Sequence, residues 1–167
     1  MRRRRVLRLA GLATATGVAG CSELSGGSGS DTASGIARRP DDDAPPRAVL
    51  PSPEGGLEIV GLRTTGGAVG ANAGQLATYE ADDGTTFEIA ALRMETESDA
   101  TALASRIRDQ GRFYGMDVAV RHGVFVVAGG TDDADARDRL LTLLSYSEAV
   151  NRAFIAEHDL LGGAGNG

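Results

Sequence analysis

The 167 residues predict an α+β domain, a small antiparallel sheet with helices on one face, preceded by an exported, lipidated N-terminus. Three observations carry this. Short apolar runs flank the tight-turn pairs Asp83-Gly84 and His122-Gly123; each pair of runs is followed by apolar residues at helical spacing; and the only cysteine, Cys21, closes a basic, then weakly apolar, leader.

The elements follow in order. Leu57–Leu62 reads as a strand, and residues 64–74 read as a glycine-rich loop. Strands over 76–81 and 85–94 flank Asp83-Gly84, a hairpin signal because glycine supplies the positive φ the turn needs. Ser98 is placed to cap a helix with Ala100, Leu103, Ala104 and Ile107 at i, i+3, i+4 and i+7. The pattern recurs with strands over 116–121 and 124–129, then a helix from Asp132 to Leu144 that opens on acids suited to its dipole. A last helix covers 147–160. The order is β, ββα, ββα, α, and Phe87 and Phe125 align as a weak internal repeat. Helices on one face of the sheet are the architecture this order implies.

Around this domain, residues 1–20 read as a cleaved signal, 21–56 as a lipidated cysteine and disordered tether, 57–161 as the globular domain and 162–167 as a disordered Gly-rich tail. The apolar stretch from Leu9 to Gly20 is about 18 Å long as a helix, too short for a bilayer core of about 30 Å. The tether holds all five prolines and lacks apolar periodicity.

Val18-Ala19-Gly20-Cys21 resembles a lipobox, an apolar residue and two small ones before a cysteine. Small residues let an extended backbone enter a processing site, and only a thiol can form the thioether to a lipid. Ahead of it, Arg3-Arg4-Arg5-Val6-Leu7-Arg8 resembles a twin-arginine export signal, with Arg3 and Arg4 as the pair and Val6 and Leu7 as the apolar positions. Four arginines also serve the general secretory route. The resemblance covers the first 21 residues and implies a protein held at the cell membrane by lipid on Cys21, its domain facing outside.

Charge narrows the partners. Five of the 17 basic residues and none of the 23 acidic ones lie in positions 1–20, so the chain beyond stands at 12 basic against 23 acidic, near −11. Such a surface repels phosphates, and nucleic acid is not an expected partner. Every basic residue is Arg and Asp exceeds Glu, a usage that resembles exported proteins of halophilic archaea; a GC-rich genome also gives Arg in place of Lys.

Past Cys21 the residues for chemistry are few. His122 reads as a solvated turn residue and His158 as a helix-end partner for the dipole. With two histidines and the cysteine assigned to lipid, no metal, cofactor or catalytic residue is expected. Thr131-Asp132-Asp133-Ala134-Asp135 lacks the glycine and distal glutamate of a calcium loop, and Arg137 stands where another oxygen ligand belongs. Gly66–Gly74 lacks the Lys-Ser/Thr of a phosphate loop. The best candidate for partner contact is Arg112-Phe113-Tyr114, two of the seven aromatics side by side between helix and strand. If both pack beneath the helix end, that surface is lost. The expected role is a non-catalytic binding or accessory module that docks a cell-surface protein. The alternative is a small-ligand or enzymatic site of Asp, Glu, Arg and Tyr, lined by Arg93 and Tyr79 or lying under the Gly66–Gly74 loop.

Overall fold

The computed structural model describes residues 37–157. Cys21, the lipobox and export signal, residues 22–36, His158 and the Gly-rich tail lie outside the described residues.

Five strands, β1 (Leu57–Thr64), β2 (Ala73–Ala81), β3 (Thr86–Arg93), β4 (Val118–His122) and β5 (Phe125–Gly130), form one antiparallel sheet in the order β1-β2-β3-β5-β4. Among the described residues there are three α-helices: α1 (Glu97–Gln110), α2 (Arg137–Leu144) and α3 (Arg152–Glu157). The α+β class and the ββα, ββα, α order therefore hold. The cap of α1 is Thr96, whose hydroxyl accepts from the Asp99 amide at 3.1 Å. The four residues at helical spacing, Ala100, Leu103, Ala104 and Ile107, are all buried.

The helices do not share one face. Leu76, Ala90, Leu92, Val126 and Ala128 meet α1, whereas Tyr79, Phe87, Ile89, Phe125 and Val127 meet α2 and α3. The reason is legible in β5, where all six residues of Phe-Val-Val-Ala-Gly-Gly are buried. A strand covered on one side alternates; one covered on both reads as a continuous apolar run.

The repeat is real for the hairpins and fails for the helices. In the central β3–β5 pair, Glu88 faces Gly130 and Arg93 faces Phe125. A two-fold through that pair carries Phe87 onto Phe125 and Ile89 onto Val127, and the matched residues share a face. The same operation would put both following helices on one side; they lie on opposite sides.

Residues 37–56 correct the expected tether. Pro46–Val49 forms a turn of 3₁₀ helix, Val49 is buried, and Ala44 and Leu50 pack against the α2-side core. This strap is fixed by hydrogen bonds from Ser147 Oγ to the Val49 carbonyl at 2.8 Å, Arg93 to the Asp43 carbonyl at 2.8 Å and Arg38 N–H to the Glu148 carbonyl at 3.0 Å. Prolines stiffen a chain before it folds, so ordering this segment costs less than for a Gly/Ser linker.

Tyr79 joins strap to sheet. Its hydroxyl, fully buried, donates to the Pro51 carbonyl at 2.7 Å, and burial pushes its pKa up to about 12. Because that lies above the unfolded value of about 10, the contribution is complete below about pH 10 and is lost as pH rises through about 12. Tyr79→Phe is expected to cost about 1–2 kcal/mol at pH 8 by stranding the carbonyl, and to flatten the alkaline fall. Urea unfolding at pH 8 and 11 measures both, in a chain with no Lys to titrate over the same range.

Candidate functional site: a pocket on the α1 face

On the α1 side the sheet is not fully covered. A cavity of about 190 Å³ opens between the residue 65–69 loop, the C-terminal half of α1 and the turn that follows it. Its floor is apolar, with Leu76, Ala90, Leu92 and Ala128 from the sheet and Leu103 and Ile107 from α1. Val69 and Phe113 form opposite walls, each packed against the same core. The charged lining residues, Arg63 and Glu88, pair with each other at 3.1 Å.

Each wall is held by a glycine that admits backbone. In the loop, Gly66 (φ 103°) and Gly70 (φ 76°) bend the chain back, with the Ala71 amide bonded to the Gly66 carbonyl at 3.0 Å. Gly74 lets Thr65 close on β2, since a Cβ there would stand 2.5 Å from the Thr65 carbonyl oxygen. On the other side Gly130 lies against the Gly115 carbonyl, where a Cβ would overlap the oxygen.

That second wall is a four-residue hairpin, Phe113-Tyr-Gly-Met116, closed by reciprocal bonds of 2.9 and 3.0 Å between Phe113 and Met116. Tyr114 (φ 51°) and Gly115 (φ 82°) both have positive φ, the condition of a type I′ turn. Asn or Gly normally occupies the first of these positions; a Tyr held there costs about 1–2 kcal/mol. Tyr114 is the one non-glycine residue with positive φ among those described, and its side chain is 68% exposed. It meets Phe113 edge-on, with centroids 4.7 Å apart. Arg112 reaches Asp132 at 2.6 Å and Asp117 at 3.9 Å, which ties the start of the turn to the end of β5.

The sequence-derived candidates thus separate. Phe113 packs inward, Tyr114 stands out, and Arg112 is held in ion pairs beside them. The Gly66–Gly74 loop, read separately from the aromatic pair, forms the opposite wall of the same pocket. Arg93 and Tyr79 do not join it: both serve the strap. His122 is no solvated turn residue but ends β4, with Nδ1 2.8 Å from the Ala149 carbonyl and its ring stacked on Phe154. Asp133 accepts from the Asp135 amide at 3.0 Å in a local turn. Among the described residues no three His, Cys, Asp or Glu side chains gather as a metal ligand set, and no helix is long and apolar enough to cross a membrane.

No protein-family model, curated protein or solved structure matches the chain.

Proposed function

We propose that the chain is an exported lipoprotein, anchored through Cys21, whose domain works outside the cell as a non-catalytic docking module. It seats one apolar side chain of a partner protein in the α1-face pocket. The observation that carries this reading is the strained, exposed Tyr114 at the mouth of an apolar hollow. Backbone strain persists where the surroundings over-determine it, and it concentrates at ligand clamps.

Size favours an anchor residue over a metabolite. At about 190 Å³ the pocket is near the roughly 150 Å³ cavity that takes up benzene, and below the roughly 300–1,000 Å³ of small-molecule sites. An aromatic side chain buried in a well-packed pocket is a common centre of an interface, with polar groups at its rim. Arg63 and Glu88 supply that rim.

Two experiments test the two halves. For the anchor, Cys21→Ser is expected to move the chain from the membrane fraction to the soluble one; unchanged membrane association rejects lipidation. For the pocket, Tyr114→Asn places a residue suited to positive φ at the turn. It is expected to raise stability by about 1 kcal/mol while losing the partner captured by crosslinking at native salt. Full capture by this variant would reject the pocket as the docking site.

A further inference from the structure

The sheet has one long open edge. Among the described residues β1 pairs only with β2, and along its eight residues Ile59, Val60 and Leu62 are 40, 55 and 41% exposed. The opposite edge, β4, is five residues long, with Val118, Ala119 and Val120 buried. A long apolar edge is a template for another strand. One charge on β1 is also poorly served within the chain. Glu58 stands directly opposite Glu80, a like-charge pair, and Arg63 is drawn aside to Glu88.

We propose that β1 pairs antiparallel with β1 of a second copy, about a two-fold axis normal to the sheet between Val60 and Gly61. In that register Glu58 meets Arg63 of the second copy, Ile59 meets its Leu62, and Val60 lies beside the axis. The bulge between Ile59 and Gly61 is what makes the register work. Directly opposed residues must share a face, and in a regular strand positions 58 and 63 would point to opposite sides. The extra residue restores the phase. Glu58 and Arg63 then share the α1 face, across from Glu80 and Leu76, while Ile59 and Leu62 share the other, across from Tyr79 and Ala77. Each Glu58 gains a cation in place of an unrelieved acid. Because the axis is normal to the sheet, the two pockets face the same way on a ten-stranded sheet, which would let one dimer hold two sites of a single partner.

The test is disulfide crosslinking of the full chain at the cell surface, with the parent chain as control. Ile59→Cys combined with Leu62→Cys is expected to give a covalent dimer as the main species on mild oxidation. Either substitution alone is expected to give none, since each would sit about 10 Å from its own copy, beyond disulfide reach. Charge provides an independent check on that dimer. Glu58→Arg or Arg63→Glu added singly is expected to abolish it, and the two together to restore it. No dimer from the double-cysteine chain, self-crosslinking by a single-cysteine chain, or a charge swap without rescue would each overturn the proposal.

Discussion

Gly130→Ala is expected to destabilise the domain by about 3 kcal/mol and to lower Tm by more than about 10 °C. No room exists for the added methyl, because it would overlap the Gly115 carbonyl oxygen and approach the Met116 Cα at 3.2 Å. Both neighbours are backbone, so neither can rotate away as a side chain would. The turn must lift from β5, and Phe113 leaves the α1-side core with it. Gly67 is the control, since a Cβ there meets nothing within 4 Å and its φ is not positive; Gly67→Ala is expected to leave stability within about 0.5 kcal/mol. Thermal unfolding of both variants decides the point. A Gly130→Ala protein as stable as the parent would mean that the turn is not seated as described.

Ala90→Ile is expected to act in the opposite sense on stability and to abolish docking. Ala90 lies on the pocket floor, on β3 next to Leu92. Isoleucine suits a strand, and its three added carbons extend into space now empty. Filling a cavity typically adds about 0.5–2 kcal/mol, so the variant should melt higher while its partner no longer enters. This pairing is informative because most substitutions that lose binding also lose stability. A destabilised variant would show that the pocket has no room. A stabilised variant with full binding would show that the pocket is not used.

Much of the fold was legible because the signals were local. Asp83-Gly84 and His122-Gly123 mark hairpins through glycine's backbone freedom, and Gly84 (φ 82°) and Gly123 (φ 61°) adopt the expected conformation. The α1 spacing named four residues that are all buried. What escaped was long-range. The strap's Val49 lies in a short apolar run, Ala48-Val49-Leu50, among prolines and without period, and its burial depends on Tyr79 and Ser147, some 30 and 98 positions away. The expectation of helices on one face missed that β5 is apolar on both sides; a short apolar run does not by itself say how many of its faces are covered or by which helix.

The pocket was visible in halves. Residues 64–74 read as a glycine-rich loop, long enough to bind but more in keeping with a plain surface loop, and Phe113-Tyr114 as a rare aromatic pair. Nothing in their spacing, about 40 residues apart, says that they face each other; the β1-β2-β3-β5-β4 order and the passage of α1 across the sheet do that. Tyr-Gly ahead of Met116 did carry a usable signal. A closing pair around X-Gly is a type I′ turn, and a large side chain at X is a cost that invites a reason.

The most direct measurement replaces Val69, on the loop wall of the pocket, with a photo-crosslinking residue in the full chain at native salt. Irradiation is expected to join position 69 to one protein partner, and adding Ala90→Ile is expected to remove that adduct while the protein stays folded. An adduct that survives the filled pocket, or no protein adduct from this wall, would contradict the docking role.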